Sequence, residues 1–493
     1  PMRRINPKER MFKNRDEEII YTGDRGYKLA DVFENKVKLD DFVAQLSYND
    51  LICMFRGEGM CSPKVTPGTA AAFGGITESL RNFGIPVACC ADGPSGIRMD
   101  CGTNAFSLPN GTALGCTFNV DLVKKLYKMT GIELCRNKID SLLGPGMNIH
   151  RNPLNGRNFE YVSEDPILTG KIGAAQVIGI QEAGSTATIK HVCANNQEAS
   201  RRFVDSIVSE RALREIYLKG FEIAVKEGKA RSVMTTYNPV NGIWTAGSYD
   251  LCTTILRKEW GFDGIVMTDW WAEANTEGEK STRENKAPMV LAQNDLYMCV
   301  SNSLENPEND NVKERFEAGE VTRSDLQRNA KNILKFIMKS QAMLHELNLI
   351  SKEDLEEING QDDDGNISLE DIVYYYADKD SNDIIIDASN FNNKKGDSEV
   401  FGISLNELGL YNIEITMKSE QGSLSQLPLS IYYDNALKST ITIRGTEGEW
   451  VTESRELGFI FGVNHYIKLY FGASGLDIDK VVIKFMGKGK LPF

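Results

Sequence analysis

Several strand-like segments of this sequence end on residues that can act as acids, bases or nucleophiles. In the clearest segment, residues 264–271, a short apolar run typical of a buried strand is followed by Asp269 and two tryptophans. A carboxylate at the end of a buried strand is costly unless another group or a substrate interacts with it. A single Asp would equally fit a helix cap. Because five further segments end in a similar way, we favour a shared site.

The residues that follow these strands are acids, cations, amides and aromatics. They are Asp92 and Arg98 after the first strand, Arg157 and Glu160 after the second, Lys190, His191, Asn195 and Glu198 at the third, Met234, Tyr237 and Asn238 at the fourth, Asp269 and Trp270 at the fifth, and Asn294 and Asp295 at the sixth. Together they would form a hydrogen-bonding cup with aromatic walls. A sugar ring fits such a cup, because its hydroxyls need partners and its C–H face stacks on aromatic rings.

Short strands alternate with amphipathic helices from residue 86 to about residue 300. The strands are predicted at 86–91, 141–149, 186–193, 232–237, 264–269 and 295–299, and the helices at 120–137, 165–182, 209–229 and 248–260. This alternation predicts an α/β fold with a parallel sheet, either open or closed. A dinucleotide-binding sheet would need G-x-G-x-x-G, and Gly144-Pro-Gly146 lacks the third glycine. We therefore predict a TIM-like (β/α) barrel over residues 37–348, with the strand ends on one rim.

The flanking segments differ from the barrel in composition. Residues 1–36 are polar and predict a linker or arm, while 56–60 and 63–75 predict one long loop. Further helices are predicted at 39–54 and 324–347, and residues 349–382 form an acidic connector. Alternating runs at 411–417, 427–433, 440–444, 466–471 and 480–486 are separated by turn residues. They predict a separate antiparallel β-sandwich over 383–493.

The acidic connector contains the one candidate metal site in the sequence. Asp362, Asp364 and Asp371 resemble part of a calcium loop with glycine at its sixth position. The first position would then be Gly360, where a carboxylate is needed. The alternative is a solvated acidic loop between two short helices. No cofactor is expected.

Composition excludes several classes of protein. A net charge of −13 and the lack of a basic patch argue against nucleic-acid binding. No apolar run is long enough to span a bilayer. The ten cysteines include no C-x-x-C pair, which argues against zinc and indicates reduced thiols in a cytoplasmic protein. No signal peptide is evident, and a start at Pro1 suggests a processed piece or one half of a longer protein.

The motifs at the strand ends resemble those of glycoside hydrolase family 3, the β-glucosidases. They are Asp92-Gly-Pro, Gly-Arg157-x-x-Glu160, Lys190-His191, Met234-x-x-Tyr237-Asn238 and Thr268-Asp269-Trp270, and they stand in the family's order. Residues 21–24 and 56–60 resemble the domain-permuted branch of anaerobic bacteria, in which the barrel follows the other domains. The C-terminal region, through residues 465–471 and 475–479, resembles a galactose-binding-like jelly roll of carbohydrate-binding modules.

The resemblance implies a retaining exo-β-glycosidase that releases β-D-glucose from non-reducing ends. Asp269 would be the nucleophile that forms a covalent glycosyl-enzyme. Residues Asp92, Arg157, Lys190, His191 and Tyr237 would bind sugar hydroxyls, Met234 would pack under the ring, and Arg98 and Trp270 would shape the entrance. Positive charge on Arg157 and Lys190 would keep Asp269 ionised.

Retention also needs a second carboxyl as acid and base, which two-domain members of the family carry on a separate domain. The local candidates here are Glu58, Glu160, Glu198 and Glu273, and their spacing favours none of them. The alternative His–Asp arrangement is missing too, because the chain reads Lys190-His-Val-Cys-Ala-Asn195. We therefore expect the acid/base to lie on an α/β sandwich domain outside this sequence, in a precursor or a companion chain. A homodimer is also compatible with the sequence. The alternative function is a non-catalytic carbohydrate-binding protein built from a barrel and a jelly roll.

Overall fold

The computed structural model describes residues 7–59, 62, 64–66, 68–99, 105–276, 278–350, 372–422, 425–434, 436–460 and 462–489. It divides into two compact units. Unit 1 comprises Pro1–Cys101 and Ala105–Gln361, and unit 2 comprises Gly102–Asn104 and Asp362–Phe493. The calcium candidates Asp362, Asp364 and Asp371 lie outside the described residues. Within the described ranges, each helix is too short or too polar to span a bilayer.

Unit 1 is a mixed α/β structure built on one nearly closed sheet. Its strands are β1 (Arg56–Glu58), β2 (Ala71–Gly74), β3 (Val87–Asp92), β4 (Ser141–Leu143), β5 (Thr186–Val192), β6 (Ser232–Thr235), β7 (Pro239–Val240), β8 (Ile243–Trp244), β9 (Ile265–Met267) and β10 (Tyr297–Val300). Eight of them form a sheet in the order β10-β1-β2-β3-β4-β5-β6-β9, and β7 pairs with β8 separately. A parallel bridge between Met267 and Leu296 joins the two edges. The strand ends therefore surround a common centre.

Two of these strands correct the predicted loop at 56–60 and 63–75. β1 and β2 are only three and four residues long and completely buried, so they are too short for a periodic pattern. β2 runs antiparallel to both of its neighbours, whereas the other pairings of this sheet are parallel. The sheet thus departs from the uniformly parallel barrel that the sequence predicts.

Helices surround the sheet and contribute to its core. They are α1 (Pro7–Lys13), α2 (Leu29–Phe33), α3 (Leu39–Ala44), α4 (Tyr48–Phe55), α5 (Glu78–Asn82), α6 (Gly111–Cys116), α7 (Val120–Arg136), α8 (Pro166–Glu182), α9 (Glu210–Ala212), α10 (Lys219–Lys226), α11 (Ala287–Ala292), α12 (Val312–Glu317), α13 (Arg323–Ile337) and α14 (Gln341–Glu346). Two further segments are π-helical. Leu213–Tyr217 lies between α9 and α10 within the predicted helix 209–229, and Asp250–Glu259 occupies most of the predicted helix 248–260.

Local capping explains where several of these helices begin. The Asp165 side chain accepts a hydrogen bond from the Leu168 amide, and Pro166 occupies the first turn of α8, where its missing N–H costs nothing. The predicted helix 324–347 is two helices instead, because Ser340 caps a new start at α14.

Leu29 and Val32 of α2 are buried in the core of unit 1. The domain boundaries of the sequence analysis stay a prediction.

Unit 2 consists of two sheets that share one hydrophobic core. Its strands are β11 (Tyr374–Tyr376), β12 (Ile384–Asp387), β13 (Ser398–Ser404), β14 (Gly409–Lys418), β15 (Gln426–Tyr433), β16 (Ala436–Arg444), β17 (Val451–Ile460), β18 (Asn464–Phe471) and β19 (Asp477–Gly487). The orders are β11-β13-β18-β15-β16 and β12-β19-β14-β17. Among the described residues of this unit, every pairing is antiparallel except β11 with β13. Ile413 of one sheet and Leu429 of the other belong to the same buried cluster.

Candidate active site

Nine side chains that the sequence analysis selects line one cavity of about 310 Å³ in unit 1. They are Asp92, Arg98, Arg157, Lys190, His191, Met234, Tyr237, Asp269 and Trp270. The sheet explains the convergence. Asp92 is the last residue of β3, Lys190 lies near the end of β5, and Asp269 follows β9 by two residues. Parallel strands of a nearly closed sheet direct their C-terminal ends to the same rim, so these side chains meet.

Asp269 lies in the wall of the cavity with one carboxylate oxygen bonded and the other free of hydrogen bonds. Oδ1 accepts a hydrogen bond of 2.8 Å from the Trp270 amide. Oδ2 is buried and makes no hydrogen bond to the described residues. Burial is the largest influence on Asp269 and raises its pKa above the usual value. The charges of Arg157 and Lys190, the Trp270 amide and the nearby Tyr237 phenol act to lower it and offset part of this rise. An oxygen without a donor keeps its lone pairs available for a bond to carbon.

A second carboxylate of the cavity, Asp92, is held by Lys190. The Lys190 ammonium donates a 2.6 Å hydrogen bond to Asp92 Oδ1, and the lysine side chain is almost completely buried. Burial raises the pKa of Asp92, but the charge and hydrogen bond of Lys190 outweigh it and hold the pKa below its usual range. The backbone amide of Arg98 donates to the Asp92 carbonyl at 2.7 Å, which fixes the loop between the two residues.

Arg157 provides the second cation near Asp269. Its Nε donates to Glu160, three residues on, and lies 4.0 Å from Glu198. Burial opposes the charge on Arg157, but the neighbouring Glu160 and Asp269 carboxylates raise its pKa. The guanidinium therefore stays a cation and its Nη2 is directed at His191, 3.1 Å away. Glu160 and Glu198 thus lie beside the Arg157 guanidinium and orient it.

His191 is completely buried between charged neighbours. Its Nε2 lies 3.6 Å from Asp269 Oδ2. Burial lowers the pKa of His191 well below its usual value, and the charges of Arg157, Lys190 and Arg201 lower it further. The imidazole is therefore neutral at physiological pH.

Two arginines stack on the phenol of Tyr237. The guanidinium carbons of Arg201 and Arg202 lie 4.6 and 4.9 Å from the centre of the Tyr237 ring. Arg201 also donates a 2.9 Å hydrogen bond to Glu198. Burial and the Asp269 carboxylate raise the pKa of Tyr237, so its hydroxyl keeps its proton and can donate to a ligand.

Five lining residues were not selected from the sequence: Gly68, Ala70, Leu143, Arg201 and Trp271. Arg201 lies three residues beyond Glu198, in a loop whose path no strand or helix pattern predicts. Leu143 ends β4 and could have been found from that strand, but an apolar residue there gives no chemical signal. The indole of Trp270 donates to the Ala70 carbonyl at 3.3 Å, which brings the segment before β2 to the cavity.

Six of the predicted residues do not line the cavity: Glu160, Asn195, Glu198, Asn238, Asn294 and Asp295. Asn294 and Asp295 precede β10 instead of following it, so they do not lie at its C-terminal end. Asp295 is completely buried and forms a 2.5 Å ion pair with Arg257 and accepts a hydrogen bond from Asn332. Its role is structural.

Comparison with known proteins relates this cavity to a family. A family model described as the glycosyl hydrolase family 3 N-terminal domain matches residues 64–336. A β-glucosidase of Ruminococcus albus is 50% identical over 484 residues, which are 98% of this chain and 50% of the relative. The crystal structure of a β-glucosidase from Paenibacillus barengoltzii is 46% identical with a TM-score of 0.69, covering 98% of this chain and 51% of that one.

A third comparison includes a bound sugar. The structure of β-glucosidase 3B from Thermotoga neapolitana in complex with glucose is 36% identical, with a TM-score of 0.57 over 66% of this chain and 45% of that one. The present chain thus spans about half the length of the relatives it matches. The family model covers more than half of the 493 residues and includes all nine selected side chains, so the chain belongs to glycosyl hydrolase family 3.

Proposed function

We propose that this chain is the sugar-binding and nucleophile-bearing part of a retaining β-glucosidase. The observation that carries the proposal is the cavity itself. In it, an Asp269 oxygen without a hydrogen bond lies among side chains typical of a sugar-binding site. The names of the relatives support glucose as the sugar. The cavity volume of about 310 Å³ suits a single pyranose ring. A site for one terminal sugar implies exo action.

The reaction would follow two displacements. Asp269 Oδ2 attacks the anomeric carbon, a C–O bond forms, and the bond from that carbon to the aglycone oxygen breaks with its electron pair leaving on the oxygen. An acid supplies a proton to that oxygen. Water then loses a proton to the same group, attacks the anomeric carbon and releases Asp269, so two inversions leave the product in the β configuration.

The other lining residues would bind the sugar. Asp92 accepts hydrogen bonds from hydroxyls, Lys190 and Arg157 donate to them, and Tyr237 donates beside the nucleophile. His191 also binds a hydroxyl. The apolar side chain of Met234 packs under the ring, and Arg98 and Trp270 shape the entrance. Hydrogen bonds that strengthen as the ring flattens contribute to the rate.

The acid/base would come from an α/β sandwich domain outside this chain. The local carboxylates are engaged elsewhere: Glu160 with Arg157, Glu198 with Arg201, Glu58 with Lys64, and Glu273 with Ser281. A carboxylate bonded to another side chain is not free to protonate a leaving group. Relatives of twice the length support a further domain.

We extend the proposal to unit 2 and to location. The two sheets with a common core support a jelly roll like that of carbohydrate-binding modules. The parallel pair β11 with β13 lies at the edge of one sheet and is a feature that a purely antiparallel sandwich lacks. The described cysteines are free thiols, seven of the eight are buried, and they support a cytoplasmic location.

The test uses a dinitrophenyl 2-fluoro-glucoside, whose leaving group needs little protonation. The chain should therefore take one covalent label although its acid is supplied elsewhere. Mass spectrometry should find the label on the peptide that contains Asp269, and Asp269→Asn should take none. The matched control is Asp263→Asn, the same change at an exposed carboxylate just before the same strand. It should be labelled normally.

Two outcomes would overturn the assignment: a label on another peptide, or equal labelling of Asp269→Asn. A folded chain that binds glucose and takes no label would favour the non-catalytic carbohydrate-binding alternative. Cellobiose tests the acid separately, because its leaving group requires protonation. We expect no cellobiose hydrolysis by this chain alone, and turnover would locate the acid within it.

A further inference from the structure

Behind His191, away from the cavity, lies the buried tyrosine Tyr161. It is completely buried, and its hydroxyl is 3.3 Å from His191 Nδ1. The same hydroxyl oxygen accepts a 2.9 Å hydrogen bond from the Asn195 side-chain amide, which also donates to Glu198 at 3.2 Å. Tyr161 does not line the cavity and lies outside the motifs selected from the sequence.

The local backbone is built to accept this ring. Tyr161 directly follows the 3-10 turn Asn158–Glu160, which also carries the partner of Arg157. The ring lies against Gly146, where a Cβ atom would be only 2.9 Å from it. The Thr112 hydroxyl donates to the Tyr161 carbonyl at 3.1 Å. The position of the phenol is thus set by several contacts independent of His191.

Hydrogen-bond chemistry restricts the protonation of His191. A guanidinium only donates, so the 3.1 Å contact from Arg157 Nη2 requires Nε2 to accept. A neutral imidazole has one N–H, which acceptance at Nε2 puts at Nδ1, where the Tyr161 oxygen accepts it. The Tyr161 O–H is then left without an acceptor among the described residues, because its oxygen also accepts from Asn195. The other tautomer would let the Tyr161 O–H donate to Nδ1, with Nε2 only 3.6 Å from Asp269 Oδ2, but it would direct the Nε2 hydrogen at an Arg157 N–H group. A hydrogen bond from the charged guanidinium is stronger than one from a neutral phenol, so we expect the Nδ1 tautomer to prevail.

We infer that Tyr161 is a positioning residue that, together with Arg157, holds His191 as the neutral tautomer protonated at Nδ1. Nε2 therefore presents a lone pair to the cavity and gives no hydrogen to Asp269 Oδ2. This leaves Oδ2 free of hydrogen bonds, as the structure has it. A hydrogen bond to Oδ2 would stabilise the carboxylate and weaken it as a nucleophile. The same lone pair makes His191 an acceptor for a sugar hydroxyl.

The direct test is the nitrogen-15 spectrum of the histidine rings, in which protonated and unprotonated ring nitrogens are clearly separated. The chain has only four histidines, and the His191 signals are identified by their loss in His191→Asn. Wild type near neutral pH should carry hydrogen at Nδ1 and none at Nε2. In Tyr161→Phe the Nδ1–H would lose its acceptor inside the protein, so the ring should shift toward the Nε2 tautomer or a mixture.

A second measurement rests on the proposed function. Calorimetric titration should give glucose affinity about tenfold weaker for Tyr161→Phe, because one buried hydrogen bond is lost behind a binding residue. The matched control is Tyr411→Phe in unit 2, where a completely buried phenol donates to the Glu407 carbonyl at 2.7 Å. It should leave both the spectrum of His191 and glucose binding unchanged.

The two measurements separate this inference from the proposed function. A wild-type His191 that carries hydrogen at Nε2, or that is charged at neutral pH, overturns the inference even if the chain binds glucose. An unchanged ring tautomer in Tyr161→Phe removes the positioning role of Tyr161. A chain with the Nδ1 tautomer that neither binds glucose nor takes the fluoro-sugar label would defeat the proposed function and leave the inference standing. The wild-type spectrum needs no variant to fold.

Discussion

The charge of Arg157 should set the pH range in which Asp269 reacts. Arg157 Nη2 is 3.1 Å from His191 Nε2, which is 3.6 Å from Asp269 Oδ2, so the two charges are at most about 7 Å apart. With an effective dielectric constant of about 20, unit charges at that distance attract by roughly 2 kcal/mol. This is about 1.5 pKa units. Burial already raises the pKa of Asp269, so loss of this attraction raises it further.

The perturbation is Arg157→Gln, with Arg157→Lys as the control that keeps the charge. Only the ionised carboxylate attacks carbon, so the labelling rate falls as pH drops through the pKa of Asp269. In Arg157→Gln the acid limb should move up by about one to two pH units. Glu160, left without its cation, adds to this shift in the same direction. Arg157→Lys should move the limb much less, although lost geometry will slow the reaction in both variants.

The assay is the rate of dinitrophenolate release from the fluoro-glucoside between about pH 4 and about pH 8. It follows glycosylation alone and does not depend on an external acid. An acid limb that stays in place in Arg157→Gln would refute the electrostatic reasoning. An equal shift in Arg157→Lys would also refute it, because the cause would then be geometry and not charge.

Two further predictions concern stability and loop geometry. Lys286 is buried with its ammonium 3.7 Å from the centre of the Tyr297 ring, and burial lowers its pKa to about 8. Burying the Lys286 charge thus lowers the free energy of unfolding by up to about 3 kcal/mol below pH 8, and this cost shrinks as pH rises toward about 10.5. The contact with the Tyr297 ring recovers about 1–2 kcal/mol of it. Lys286→Met should therefore stabilise the chain against urea by about 1–2 kcal/mol at neutral pH and by less in alkali; a destabilised variant would contradict this. Gly93 has φ +146°, and a Cβ there would lie 1.7 Å from the Gly96 carbonyl oxygen. Gly93→Ala should displace Asp92 and weaken glucose binding at least about tenfold by calorimetry, and unchanged binding would show that the loop tolerates the side chain.

The strand ends of unit 1 were accessible to prediction because they are local features. Asp269 follows an apolar run, and Lys190 lies near the end of another, so alternation alone indicated a shared rim. The resemblance to glycoside hydrolase family 3, made on those motifs, is confirmed by the family match. β1 and β2 were missed because three or four buried residues carry no period. In unit 2, β11, β12, β13 and β17 fell outside the predicted runs, because they are short or have irregular burial patterns.

Order along the chain was thus enough to indicate the mixed α/β class, the family and the side chains that share one rim, because each depends on residue types over a few neighbouring positions. Hydrogen-bond partners depend on distance in space. Tyr161 and His191 are 30 positions apart, and Asp92 and Lys190 are 98 positions apart. Only the folded chain decides that Arg157 and Tyr161 approach opposite nitrogens of one imidazole, that Asp295 pairs with Arg257 outside the cavity, and that one oxygen of Asp269 is left without a donor. These contacts arise when the sheet closes, since closure brings side chains from distant strands within a few ångströms.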